Sequence, residues 1–242
     1  FHHHFQPIYE INKHEVFGYE SLLKMNDNTQ NPEGLFHTAI KTNKLYELDT
    51  ASIYKALNFI TNIRSKWSPN TNIFVNVYPS TLVSSTFRLY LKKLTNTLGV
   101  NRKTIIFEII ESEDVQNFIA MKIAIRKLRS LGFRFALDDI GKGNIPLVEL
   151  LELKPQYVKI DKYYSQGLSH SSTKQSLFKN LIDYCWKQKV KVVLEGIETK
   201  HDLFTAQSLG VPFGQGYLLG KPALLSSLPY RLPLNSTNSN SS

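Results

Sequence analysis

Cysteine is nearly missing from this chain. Cys185 is the one thiol in 242 residues. A lone thiol closes no internal disulfide, so a disulfide-stapled scaffold is excluded and a reducing, cytoplasmic setting is expected. Glycine, at 12 residues, is far too scarce for a collagen-like fibre. No run of about 18 apolar residues occurs, so no membrane-spanning helix is expected. No secretory signal pattern opens the chain. Blocks of about five like charges are also absent. The excess of 29 Lys+Arg over 20 Asp+Glu, a formal +9, favours anionic partners such as nucleotides, nucleic acid or phospholipid heads. Its even spread argues against a DNA- or RNA-binding tail.

What is present is an ordinary globular composition. With 42% hydrophobic and 12% aromatic residues, the chain is not of the disordered class. A compact domain of this length should bury roughly 70–75% of its unfolded surface, enough for one core. The chain opens on Phe1 rather than Met, and is expected to be a domain trimmed from a longer protein.

Apolar β-rich runs alternate with helical patterns. The runs are Phe5–Ile11, Val16–Leu23, Ile73–Tyr78, Thr104–Ile110, Phe133–Ile140, Tyr157–Ile160, Val190–Ile197 and Phe213–Leu219. Most lack polar alternation, as strands covered on both faces do. Between them, Asn117–Leu131 places Phe118, Met121, Ile125 and Leu128 at helical spacing and stops at Gly132. Leu48–Ile63 and Lys174–Lys187 read the same way. In the latter, Leu177, Leu181, Tyr184 and Cys185 form an apolar pattern that predicts a buried, structural thiol. Strands alternating with helices predict an α/β, TIM-like (β/α)8 barrel. The first two strands are joined only by Asn12–Glu15, too short for a parallel crossover, so they should form an antiparallel hairpin. The barrel is expected over residues 1–230, followed by a disordered polar tail over 231–242. The triplet His2–His4 receives no role at this stage.

Polar residues fall at matched places in these apolar strands: Glu20, Asn76, Glu108 and Glu111, Asp138 and Asp139, Lys159 and Asp161, Glu195 and Glu198, and Gln215. Burying a charge without a partner is very costly, so strands do not carry charges casually. In a barrel the C-terminal strand ends converge on one mouth. Carboxylates gathered there repel one another and must be neutralised. Oxygen ligands from Glu, Asp and Asn suit hard cations such as Mg²⁺ or Mn²⁺. No Cys or His stands at these strand ends, which disfavours zinc.

These residues, in this order, resemble the EAL-domain family of cyclic di-GMP phosphodiesterases. The resemblance runs from Phe5-Gln6-Pro7-Ile8 to Lys221-Pro222. It includes Glu20-Ser21-Leu22, Asn76-Val77-Tyr78-Pro79, Glu108-Ile109-Ile110-Glu111-Ser112, Asp138-Asp139, Lys159-Ile160-Asp161, Glu195-Gly196-Ile197-Glu198 and Gln215-Gly216-Tyr217. It implies a TIM-like barrel with the first strand antiparallel, and hydrolysis of cyclic di-GMP to linear pGpG with two Mg²⁺ or Mn²⁺ ions. It also implies that Glu20, Asn76, Glu108 and Asp138 hold one ion and Asp138, Asp139 and Glu195 the other. Lys159 and Glu195 would be catalytic, Gln6, Lys24 and Gln215 would meet the substrate, and Glu111, Asp161 and Glu198 would support the ligands. It leaves room for a homodimer and for an upstream sensor or GGDEF domain.

Four positions depart from the family pattern. Lys24 stands where the family has Arg, which removes a bidentate grip on phosphate. Tyr78 replaces a Ser, and Ile110 replaces a Thr. In the loop Ile140–Pro146 only the two glycines survive. None of these changes removes an expected metal ligand. An active enzyme, at reduced rate, is therefore favoured over a silent cyclic di-GMP receptor or an interaction module. A glycosidase using two carboxylates is disfavoured, because that chemistry does not call for Asn76, adjacent aspartates and Lys159 together.

Overall fold

The computed structural model describes residues 1–26, 31–62, 71–110, 118–140, 152–224 and 227. The chain enters on β1 (His2–Glu10), turns through a 3-10 segment (Ile11–Lys13) and returns on β2 (Glu15–Lys24). His14 closes that turn in the left-handed region at φ 55°. There follow α1 (Pro32–Lys41), α2 (Leu45–Asn62), β3 (Asn72–Val77), α3 (Pro79–Val83), α4 (Phe87–Leu98), β4 (Ile105–Ile109) and α5 (Phe118–Arg129). The second half holds β5 (Arg134–Ile140), β6 (Tyr157–Ile160), α6 (Lys162–Ser165), α7 (Ser172–Lys187), β7 (Lys191–Leu194), α8 (Lys200–Ser208) and β8 (Phe213–Gly214).

The eight strands close into a barrel in chain order. β1 runs antiparallel to both β2 and β8, and every other pairing is parallel. The short hairpin therefore produces the antiparallel first strand expected of it. β1 starts at His2, three residues before the expected Phe5, because its pairing continues to His2 opposite Lys24. β7 and β8 are shorter than expected. Past Leu194 the chain leaves the sheet at Gly196, which sits at φ 65°.

Local side chains set the helix ends. Asn31 Oδ1 accepts the Gly34 N–H at 2.7 Å and Pro32 opens α1. In α5, Met121, Ile125 and Leu128 are buried, and the chain turns away at Gly132, φ 102°. Cys185 is fully buried, which pushes its thiol up to about 11 and leaves it inert. Leu177, expected on the same buried face, is instead 55% exposed, one residue before the buried Phe178 that faces the core. The expected tail over 231–242 lies outside the described residues.

Two apolar masses result. The larger lies between sheet and helices. The smaller fills the barrel: Ile8, Phe74, Ile106, Ala136, Tyr157, Val193 and Phe213 meet there, with Phe17 against them. Below this plug, Arg134 bonds the Tyr157 hydroxyl at 2.9 Å and the Asn72 side chain.

Candidate active site

The site is the next layer up. Side chains in a strand alternate between faces, so the residue two positions past an inward one also points inward. On the parallel strands, two residues past the plug brings Phe74 to Asn76, Ile106 to Glu108, Ala136 to Asp138, Tyr157 to Lys159, Val193 to Glu195 and Phe213 to Gln215. On antiparallel β1 the same step runs backward, from Ile8 to Gln6. Gln6 pairs with Glu20 on β2, and Asn76 pairs with Glu108. One ring of polar side chains thus rests on an apolar floor.

At its centre stands the Lys159 ammonium, 1% exposed. Its Nζ lies 3.1 Å from Glu20 Oε2, 2.9 Å from Glu108 Oε1, 3.1 Å from Asp138 Oδ1 and 2.8 Å from Glu195 Oε1. Four carboxylates, from β2, β4, β5 and the residue just past β7, face one cation, a formal excess of three negative charges. Burial alone would lower Lys159, but the surrounding carboxylates outweigh it and hold the ammonium well above its usual range. The acids absorb the opposite strain. Burial, reinforced by Glu20, holds Glu108 well above the usual carboxylate range. Burial likewise pushes Glu195 up to about 8, with Asp138 and Glu20 outweighing part of the relief from Lys159.

Asp138 and Asp139 are adjacent, and in a regular strand they would point to opposite faces. Here the register with β6 slips between Leu137 and Ile140, and Asp139 takes φ 53°. Asp tolerates this left-handed region better than most residues. The bulge brings carboxylate oxygens of Asp138, Asp139 and Glu195 within 4.8 Å of one another, and those of Glu20, Glu108 and Asp138 form a second such group. Glu108 Oε2 is buried with no hydrogen-bond partner. An all-oxygen donor set with surplus negative charge and an orphaned oxygen fits a hard divalent cation.

The remaining expected residues divide by position. Gln215 Nε2 donates to Glu20 Oε2 at 2.5 Å and to Gln6 Oε1 at 3.0 Å, and Gln6 Nε2 donates to the Gly220 carbonyl at 3.0 Å. Asp161 lies in the cleft wall, where it caps α6 by accepting the Tyr163 N–H at 2.8 Å. Glu198 is exposed and lines the cleft at its edge. Lys24 is exposed at the far end of β2, opposite His2. Glu111, and the loop beyond Ile140, lie outside the described residues. Tyr78 turns away from the cleft: it is buried, its ring 5.0 Å from Phe36 of α1 and its N–H bonded to Asp49.

The cleft above this ring measures about 410 Å³. Leu22, Lys162 and Tyr217 also line it, and sequence reasoning assigned them no role. Lys162 reads in sequence as any surface lysine, whereas Tyr217 was visible within Gln215-Gly216-Tyr217. Gly216 is forced by space, since a Cβ there would lie 2.1 Å from the Ile197 carbonyl oxygen.

The family model described as "EAL domain" matches residues 1–222. The chain is 30% identical over 181 residues to the cyclic di-GMP phosphodiesterase PdeB of Shewanella oneidensis, covering 75% of this chain and 21% of that protein. It is 27% identical over 228 residues to the cyclic di-GMP phosphodiesterase PdeF of Escherichia coli, covering 91% of this chain and 30% of that protein. Among solved structures, Klebsiella pneumoniae BlrP1 in complex with calcium and cyclic di-GMP superposes with a TM-score of 0.82 at 25% identity, over 92% of this chain and 55% of that one. The chain thus spans about a fifth to a third of the length of these two curated relatives.

Proposed function

The chain belongs to the EAL domain family, and from that premise we propose that it hydrolyses cyclic di-GMP to linear pGpG at the barrel mouth. The observation that carries this reading is the convergence of Glu20, Glu108, Asp138 and Glu195 on Lys159, with Asp139 brought alongside by a bulge. Such a surplus of buried negative charge serves no structural purpose that an apolar layer would not serve better.

Glu20, Asn76, Glu108 and Asp138 would hold one divalent ion, and Asp138, Asp139 and Glu195 a second, Mg²⁺ or Mn²⁺ by donor chemistry. Bound there, the pair supplies Lewis-acid charge neutralisation and eases deprotonation of water at neutral pH. The chain's own groups do the rest. Lys159 places a fixed positive charge where charge develops on the phosphoryl oxygens. Glu195 would serve both as a ligand of the second ion and as a proton acceptor beside it. Gln215 and Gln6 form a bonded pair that fixes Glu20 and lines the substrate's side of the cleft. Asp161 on the cleft wall and Glu198 at its edge would support the ring, as would Glu111.

The test is incubation with cyclic di-GMP and Mn²⁺ or Mg²⁺, followed by chromatography. Appearance of pGpG is expected. A second reading, a receptor that binds without turnover, is favoured by Lys24 in place of Arg. It wins if the dinucleotide binds and no pGpG forms with either ion. Tyr78, turned toward Phe36, adds nothing to that second reading. Among the described residues no helix is long and apolar enough to cross a membrane. A domain of this kind would act on a small anionic messenger rather than on DNA or RNA, within the cytoplasm.

A further inference from the structure

Three histidines open β1, and the structure separates them by face. His3 points outward, its Nε2 3.0 Å from Ser52 Oγ on α2. Phe5 follows it on that face, stacked on Phe59 at 5.6 Å between centroids. The even positions point the other way: Ile8 sits in the barrel plug and Gln6 in the cleft. His4 and His2 continue that inward face. Because β1 is antiparallel, they climb past the acid ring and out of the mouth. His4 pairs with Leu22, which lines the cleft, and His2 pairs with Lys24. The two imidazoles lie 5.1 Å apart; burial first, then His2 and Lys24, hold the His4 imidazole below its usual range, and the ring also bonds the Pro222 backbone. Asn26 Oδ1 holds the His2 ring at 3.1 Å. Among the described residues no carboxylate forms an ion pair with His2, His4 or Lys24.

Resting on the phosphodiesterase reading above, we propose that His2 and His4, together with Lys24, form a phosphate-binding rim that holds the non-reacting phosphate of a cyclic dinucleotide. The rise of a strand puts His4 about 7 Å and His2 about 13 Å from Gln6 along β1, and with the strand tilt of a barrel about 5 Å and 10 Å above its level. Those heights are too great for contact with a phosphorus seated on the acid ring, and within the span of a dinucleotide. The acids below would repel an anion placed alone in the cleft. Cationic and N–H-bearing side chains on one wall offset that repulsion and orient the ligand. The rim also supplies from β1 a grip that Lys24, lacking the guanidinium fork, does not supply alone.

The test is the His2→Gln/His4→Gln double variant, compared with wild type on cyclic di-GMP and on bis(4-nitrophenyl) phosphate, which carries a single phosphate. Loss of one charge-assisted contact should raise KM for cyclic di-GMP about tenfold with kcat nearly unchanged. Turnover of bis(4-nitrophenyl) phosphate should stay the same. An unchanged KM for cyclic di-GMP overturns the rim and leaves the phosphodiesterase reading intact. A parallel loss on both compounds also overturns it, since the acid ring has then been disturbed. If wild type hydrolyses neither compound, the functional reading fails. Calorimetric titration with cyclic di-GMP then decides the rim: about tenfold weaker binding by the variant supports it, and equal or undetectable binding in both proteins overturns it.

Discussion

Replacing Lys159 by Met removes the ammonium and keeps the length of the stem up to Cε and most of the side-chain volume. Four carboxylates then face one another with no cation, each having been 2.8–3.1 Å from Nζ. Stripping one partner from a buried ion pair costs about 3–5 kcal/mol. The cluster can reduce that cost only by holding a further proton. Keeping a carboxyl of ordinary pKa protonated at pH 7 costs about 3–4 kcal/mol, and about 1.4 kcal/mol less for each pH unit lower. Both routes give the same size, so Lys159→Met in EDTA at pH 7 should be about 3–5 kcal/mol less stable than wild type. The sign with pH is fixed. A carboxyl held protonated in the folded state and ionised in the unfolded state contributes stability at low pH, lost as pH rises toward its folded pKa. The penalty of the variant therefore shrinks toward pH 5. Millimolar Mg²⁺ should shrink it too, by supplying cations to the same oxygens. Urea denaturation at pH 5 and pH 7, with EDTA and with Mg²⁺, reads all of this. A variant within about 1 kcal/mol of wild type in EDTA at pH 7 would mean that the cluster is wet enough to need no internal cation, contrary to this expectation. If the proposed chemistry holds, kcat on cyclic di-GMP falls by about 10²–10³ in the same variant.

Three further outcomes are expected. Mg²⁺ or Mn²⁺ at about a hundredfold over its Kd should stabilise wild type by about 2.7 kcal/mol in a thermal melt; Asp138→Asn, at the residue shared by both acidic groups, should lose most of that gain. His3 is buried, and burial, then Lys55 and His2, push its imidazole down to about 4. The unfolded chain therefore binds the extra proton between about pH 6.5 and pH 4, and wild type should lose up to about 3 kcal/mol over that fall relative to His3→Gln, as read by denaturation at each pH. Gly216→Ala would force a Cβ to 2.1 Å from the Ile197 carbonyl oxygen, and the backbone shift should cost at least about 2 kcal/mol, visible as a Tm drop of several degrees.

Much of this protein was legible in its residues. The short hairpin Asn12–Glu15 dictated an antiparallel first strand, because so few residues reach no other geometry. The two-residue period puts Asn76, Glu108, Lys159 and Glu195 on the same face as Phe74, Ile106, Tyr157 and Val193, but only the structure shows that this face is the barrel interior. Period alone assigns a side, however, and not a height. Height depends on the stagger between strands, which is set when the barrel closes. Only closure put Lys159 level with four acids rather than above or below them. The bulge that turns Asp139 to the same side as Asp138 breaks the period and could not be read from it. Tyr78, one residue beyond β3, was free in sequence to line the cleft, whereas in the structure it is buried against Phe36 and is not among the cleft-lining residues. His2 and His4 looked like an idle terminal run until the antiparallel sense of β1 carried them up the wall of the mouth. Local spacing decides which face a side chain takes, whereas the distances between strands arise only once all eight of them have paired.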